Sequence, residues 1–233
     1  MHKIAISQAA RDRMTARTGK THPFDAIDPR KAALVVIDMQ NYFCKPGHQG
    51  EVPASRDIVP NINRLAAEVR RRGGLVVWVR NGTRNTREGW SNYHEFLHTP
   101  DRYERRYAAM DVDGDGYAYW HGNDMRPEDA QVTKTRYSAF IQGSSTVEPL
   151  LRDRGVDTLL IAGTATNVCC ESSARDAMVL NFKVVMVSDA NATHNDEEHN
   201  AALSIFYGLF GDVQTTDEAI ESLARGDTKR AAA

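Results

Sequence analysis

Short, nearly unbroken apolar runs recur along the chain, and between them apolar residues return at helical spacing. The strong runs are 33–37, 75–79, 158–162 and 184–187; weaker ones lie at 130–133 and 212–215. Runs of this length, rich in Val, Ile and Leu, predict strands buried on both faces of a parallel sheet. Helices are predicted between them. Ile58, Ile62, Leu65, Ala66 and Val69 lie on one face of a helix over 58–71. A short amphipathic stretch, 148–154, is stopped by Gly155, a residue that suits a helix end. Further helices are predicted over 169–180 and 198–210, and another from Thr216, whose hydroxyl suits a cap.

Strands alternating with helices predict an α/β fold: a doubly wound, mainly parallel sheet of about six strands with helices on both faces, a Rossmann-type three-layer arrangement. Such sheets bind ligands beyond the carboxyl ends of their strands, where the strand order reverses. The residues just after the apolar runs are therefore the ones to read. Asp38 follows the first, Asn81 the second, Lys134 the run at 130–133, and Gly163-Thr164-Ala165-Thr166-Asn167-Val168-Cys169 the run at 158–162. Residues 1–30 carry little periodicity and read as an arm on the surface or on a neighbouring subunit. Residues 31–226 read as one domain with an insert at 88–124, and 227–233 as a disordered tail.

Composition narrows the class. A chain of 233 residues with 41% hydrophobic content is long enough to bury a sizeable core. The formal net charge of −2, with both signs mixed along the chain, builds no field for nucleic acid and no polybasic patch for a membrane. No apolar run approaches the roughly 20 residues that span a bilayer, and the N-terminal stretch lacks the apolar core of a signal peptide. Three cysteines do not form a disulfide framework, so a reducing cytoplasm is the expected location.

Asp38, Lys134 and Cys169 together suggest chemistry. A thiol becomes a good nucleophile when a base takes its proton or a positive field stabilises the thiolate. Cys169 is expected at the first turn of its helix, where the helix dipole favours a thiolate. Asp38 would accept the proton, and Lys134 would hold Asp38 ionised or stabilise developing charge. Taken singly, each has a plainer reading: Cys169 as a small buried hydrophobe, Asp38 as a turn residue, Lys134 as a solvated charge. Their shared position at strand ends raises the catalytic reading.

The residues around these three do more than co-locate. Leu34-Val35-Val36-Ile37-Asp38-Met39-Gln40-Asn41, Lys134-Thr135-Arg136-Tyr137-Ser138-Ala139-Phe140 and the stretch 163–177 around Cys169 resemble, in order, the three motifs of the isochorismatase-like cysteine hydrolases. The resemblance covers about residues 29–224. It implies an Asp38, Lys134, Cys169 triad, a cis peptide between Thr164 and Ala165, an oxyanion hole from the Ala165 and Cys169 N–H groups, and a homo-oligomer, dimer or tetramer. Nicotinamidases of the family carry an Asp-x-His metal motif after the second strand. Here that stretch is Trp78-Val79-Arg80-Asn81-Gly82-Thr83-Arg84, so neither a catalytic metal nor a cofactor is expected. Asn81-Gly82, Asn92-Tyr93-His94 and Arg136-Tyr137-Ser138 look more like the ureidoacrylate amidohydrolases. N-carbamoyl amidohydrolases and biuret-type hydrolases share much of this pattern. The implied activity is hydrolysis of a C–N bond in a small amide or ureido substrate. The alternatives are another small amide (biuret, maleamate or nicotinamide-like), a non-catalytic binding protein on the same fold, and a metal-dependent hydrolase using the acidic insert.

Asn41 and Phe43, which follow Asp38 on one loop, are candidates to line the substrate pocket, with Asn81, Trp90, His94 and Tyr137. The aromatics of the insert either pack it onto the body or roof the site. Asp111-Val112-Asp113-Gly114-Asp115-Gly116 resembles the start of a calcium loop, but the twelfth position is Gly122 where such a loop needs a bidentate Glu, and an acidic turn is the expected reading. Cys44 and Cys170 read as structural thiols. Arg84, Arg87 and Arg136 are candidates to clamp a substrate carboxylate, with nothing to choose among them.

Overall fold

The computed structural model describes residues 1–231, and among these the chain forms six β-strands and ten α-helices. The strands are β1 (Ala32–Ile37), β2 (Leu75–Asn81), β3 (Ala130–Lys134), β4 (Thr158–Thr164), β5 (Lys183–Ala192) and β6 (Asp212–Gln214). All pair in parallel, in the order β3-β2-β1-β4-β5-β6. The order reverses between β1 and β4, so the crevice beyond their carboxyl ends is the place for a site. No helix among the described residues is long and apolar enough to cross a membrane.

Side-chain alternation divides the core into two layers. Ala33, Val35 and Ile37 of β1 join Val77, Ile161 and Met186 under α7 (Val147–Asp153), α8 (Glu171–Val179) and α9 (Asp196–Leu209). Ala32, Leu34 and Val36 join Trp78, Leu160 and Val185 under α3 (Val59–Arg71) and α10 (Thr216–Ala231). Every residue of β1 and β4 is buried, which is why both read as unbroken apolar runs. β5 is longer than its apolar run. Its pairing with β4 shifts between Ile161 and Gly163, and the Asn191 amide fills the irregularity by donating to the Ile161 and Val187 carbonyls at 2.8 and 2.7 Å. A polar residue that reads as a loop signal is thus part of the strand.

The ends of the chain are more regular than their sequence suggests. Within residues 1–30, Ser7 caps α1 (Gln8–Thr18). This helix lies on α9 of its own chain: Ser7 N–H donates to Ser204 Oγ at 3.0 Å, and Arg17 to the Gly208 carbonyl at 3.0 Å. Helix α10 passes residue 226 and continues through Ala231. Arg72 bonds Asp227 at 2.7 Å, so 227–231 are helix rather than the expected disordered tail. Residues 232–233 lie outside the described residues.

The insert is folded as well. Short helices α4 (Thr86–Gly89) and α5 (Ser91–Phe96) lead into α6 (Pro100–Met110). The chain then returns through an acidic turn to the loop after β1. There Asn41 N–H donates to the Ala118 carbonyl at 2.8 Å and Trp120 N–H to Met39 at 3.0 Å. Asp115 accepts from Lys45 and His48 at 2.9 and 3.0 Å. A Cβ on Gly114 would stand 2.4 Å from the Ala108 carbonyl oxygen, so the turn needs glycine for close approach.

Gly163 is the tightest point of the crevice. Its φ is +119°, and a Cβ there would lie 2.0 Å from the Ile37 carbonyl oxygen, just before Asp38. Gly163→Ala should destabilise the fold by about 2–6 kcal/mol, from a disfavoured φ plus overpacking against backbone. A urea titration measures it; a change under 1 kcal/mol would mean that β1 and β4 part easily.

Candidate active site

Asp38, Lys134 and Cys169 come from three different strand ends and meet beneath the crevice. Asp38 leaves β1 with φ +56°. Its N–H donates to the Val79 carbonyl at 2.7 Å, so β2 holds the turn. Gln40 locks the loop further. It is fully buried, its Nε2 donates to the Asn81 and Gly116 carbonyls at 3.1 and 2.8 Å, and its Oε1 accepts from Asn81 N–H at 2.7 Å. Lys134 ends β3. The loop after it closes on itself, with Ser144 Oγ donating to the Ser138 carbonyl at 2.6 Å, and it is tied to α8 by Ala139 N–H donating to Ser173 Oγ at 3.0 Å.

Lys134 Nζ stands 2.8 Å from Asp38 Oδ2, and both side chains are 0% exposed. The ammonium also donates to the Arg136 carbonyl at 3.0 Å. Besides Lys134, the carboxylate has the Cys169 thiol as a hydrogen-bonding neighbour, which places it to accept the thiol proton. Burial pushes the Asp38 carboxyl above its ordinary range, and the Lys134 charge opposes that shift. Lys134 is held protonated: burial opposes its charge, and Asp38 and Cys169 outweigh the burial.

Cys169 differs from the sequence reading in two respects. It lies in a π-helical turn, Thr166–Cys170, that precedes α8, not in the first turn of an α-helix. Such turns recur at functional sites because they re-aim side chains. Its thiol is also not held as a thiolate. Burial is the largest influence, and even with Lys134 pulling down, the pKa is pushed up to about 12. The resting sulfur is protonated, so attack needs a base at the moment of reaction. Cys170 is buried and faces the core, and Cys44 is a buried thiol pushed up to about 11 by burial.

The turn carrying Cys169 is braced from behind. Thr166 Oγ1 and His199 Nδ1, both buried, are 2.8 Å apart, and Thr193 Oγ1 donates to Asn167 Oδ1 at 2.6 Å. The Thr164–Ala165 peptide is cis. The Ala165 carbonyl accepts from Val168 and Cys170 N–H, each at 3.1 Å, whereas the Ala165 N–H donates to no group among the described residues. Ala165 lines the same cleft as Cys169.

A cleft of about 250 Å3 opens directly on Cys169, Ala165 and Val168. Asp38 and Lys134 lie below its floor, out of contact with solvent. Of the residues expected to line it, Phe43, Asn81 and Tyr137 do so. The Asn81 Nδ2 is buried without a hydrogen-bond partner among the described residues. Asn41, Trp90 and His94 do not line it. Asn41 bonds the Asp115 carbonyl at 3.1 Å. Trp90 stacks on Tyr93 with ring centroids 4.2 Å apart, and His94 bonds the Thr86 carbonyl at 3.1 Å inside the insert. The insert therefore both packs on the body and roofs the site, with Tyr93, His98, Arg102 and Arg106 as its contribution to the cleft.

Arg106 escapes a reading based on the charged residues near the motifs, which singles out Arg84, Arg87 and Arg136. Arg87 instead pairs with Glu104 at 2.8 Å, and Arg136 donates to the Gly89 carbonyl at 2.6 Å. The signal for Arg106 was present in spacing: Tyr103, Arg106 and Met110 form the buried face of α6, and a charge on an apolar stripe is the informative exception. Among the described residues no group of three His, Cys, Asp or Glu side chains is placed to hold a metal ion.

The isochorismatase domain family matches residues 32–218. The chain is similar to the uncharacterized isochorismatase family protein YwoC of Bacillus subtilis (strain 168), 31% identical over 197 residues, which are 84% of this chain and 96% of that protein. Among solved structures it resembles a cysteine hydrolase from Pseudomonas syringae pv. phaseolicola 1448A, 27% identical with a TM-score of 0.77, over 86% of this chain and 95% of that one. It shares its fold with N-carbamoylsarcosine amidase from Thermoplasma acidophilum, at 24% identity and a TM-score of 0.64, over 80% of this chain and 97% of that one.

Proposed function

The chain belongs to the isochorismatase family, and we propose that within it the protein is a cysteine-dependent amidohydrolase of the ureidoacrylate or N-carbamoyl type. The observation that carries this reading is the buried Asp38–Lys134 pair directly beneath Cys169, the residue on which the cleft opens. Asp38 takes the thiol proton as sulfur attacks the amide or ureido carbonyl. The Ala165 and Cys169 N–H groups receive the oxyanion; a donor of that kind is worth about 2.7–4 kcal/mol of barrier. The C–N bond breaks, and ammonia or an amine leaves with the proton from Asp38. Asp38 then takes a proton from water, which attacks the S-acyl group and releases the acid and the thiol. Were the S-acyl group a carbamoyl, the product would be a carbamate that decomposes to amine and carbon dioxide. Lys134 stays protonated throughout and keeps Asp38 from being neutralised by its own burial. The leaning towards ureido substrates is supported by Asn81-Gly82, Asn92-Tyr93-His94 and Arg136-Tyr137-Ser138.

The test is ammonia release from a panel of N-carbamoyl amino acids, ureido acids, biuret and simple amides, followed as a function of pH on the best substrate. Asp38 has to be ionised to act as base. Because burial raises its pKa, kcat/KM should fall on the acid side at a midpoint above the roughly 3.9 of a free carboxyl. With the thiol pushed up to about 12, no rise should appear near the roughly 8.5 of a free thiol. A limb centred there would mean that a pre-formed thiolate attacks, against the role given to Asp38. Turnover of no member of the panel would sink the amidohydrolase reading.

A further inference from the structure

Arg106 is 6% exposed, and no carboxylate among the described residues lies within 4 Å of its guanidinium. Its Nε donates to the Tyr93 hydroxyl at 3.2 Å, one Nη faces the Met110 sulfur at 3.5 Å, and its Cζ stands 5.5 Å from the ring centroids of both Tyr42 and Tyr93. Its neighbours Arg105 and Arg87 are paired, with Asp101 and Glu104, and Arg102, the other α6 arginine lining the cleft, is exposed to solvent rather than buried. Arg106 lines the same cleft as Cys169, and its charge reaches Asp38.

A buried guanidinium cannot shed its proton to escape the cost of burial, as a lysine can. Two neutral hydrogen bonds, one of them to a weakly accepting thioether, and two ring faces compensate a desolvated cation only in part. Within this cleft the missing partner is an anion, and the planar fork of an arginine matches a carboxylate. We infer that Arg106 is the anchor for a substrate carboxylate, so that the substrate is a small amide or ureido acid carrying a negative charge beyond its scissile carbonyl. Asn81, whose buried Nδ2 lacks a partner beside the same cleft, supplies a second, neutral donor to the bound molecule. The insert thus contributes specificity: its helix α6 brings the only cation that is both buried and unpaired in the cleft among the described residues. This inference rests on the amidohydrolase reading for its chemistry, but the anion site can be tested apart from turnover.

The experiment compares N-carbamoylglycine with (2-hydroxyethyl)urea, a neutral twin of similar size. The wild-type protein should prefer the acid in kcat/KM, and in Arg106→Gln that preference should collapse by roughly 10²- to 10³-fold, chiefly through KM. Arg106→Lys, which keeps the charge without the fork, should restore part of it. A preference that survives while both substrates slow equally would make Arg106 a packing residue and overturn the inference, as would a wild-type protein indifferent to the charge. Binding separates the two readings. Titration of N-carbamoylglycine into Cys169→Ala should show binding that Arg106→Gln in the same background removes; equal binding, or none in either protein, overturns the anion site. Binding without ammonia release keeps the anion site and overturns only the hydrolase. Should Arg106→Gln fail to fold, inhibition of the wild-type protein decides: malonate should protect Cys169 from iodoacetamide where malonamide does not, and equal effects overturn the site.

Discussion

Cys169→Ala will release no ammonia from any substrate that the wild-type protein hydrolyses, with turnover at most about 10⁻⁴ of the starting rate, in line with losses on removing a nucleophile. The reason is chemical. Asp38 and Lys134 are sealed below the cleft floor, so neither can reach a substrate carbonyl, and what remains without sulfur is an oxyanion donor and a binding site. The variant should fold normally. Cys169 is 4% exposed and packs in the core layer with Cys170 and Ala174; losing one sulfur atom there costs about 1 kcal/mol. Removing it also takes away a thiol whose partial charge the buried pair has to accommodate. Two measurements check the prediction: the ammonia assay, and mass spectrometry of acid-quenched protein, which should show an acyl adduct on the wild-type chain alone. Retained turnover, or an adduct on the variant, places the chemistry elsewhere.

The parts of this site that were legible in the sequence are those fixed by local chain geometry. A strand buried on both faces must read as an apolar run, so β1, β2 and β4 declare themselves, and the first polar residue after each has to stand at a sheet edge. That reasoning finds Asp38 and the turn carrying Cys169; Lys134 is found more weakly, because β3 is half-exposed and its apolar run is short. It misses whatever depends on packing at a distance. Helix α1 buries only Ala10 and Met14, too few apolar positions to announce a helix. The thiol's protonation follows from near-complete burial, which no spacing rule reports; helix position alone pointed the other way. Arg106 is hidden for a related reason. Its importance comes from the absence of a partner, and whether a charge is paired becomes visible only when the carboxylates of Asp101 and Glu104 are seen to be engaged by other arginines.

Lys134→Met should cost both activity and stability, and the pH dependence of the stability loss identifies its cause. Removing the ammonium leaves Asp38 buried with no countercharge, and breaking a buried pair in this way typically costs about 3–5 kcal/mol. The loss should be largest near neutral pH and shrink on acidification. Asp38 already has a raised pKa, and without Lys134 it must rise further. A group whose folded pKa exceeds its unfolded value adds stability below the unfolded pKa, and that stability is lost as pH rises through the folded one. The variant can therefore recover stability by protonating Asp38, whereas the wild-type protein has less to recover. Urea titrations at pH 5 and pH 8 should show the wild-type-to-variant gap narrowing at the lower pH; a gap that does not change would assign the cost to lost packing of the lysine stem. The double variant Asp38→Leu with Lys134→Met sharpens the point. Replacing a whole buried pair by apolar groups is often neutral or stabilising, so the double variant should be more stable than Lys134→Met alone while remaining inactive. Such an outcome would mean that the pair is kept in the core for the proton it moves and not for the stability it adds.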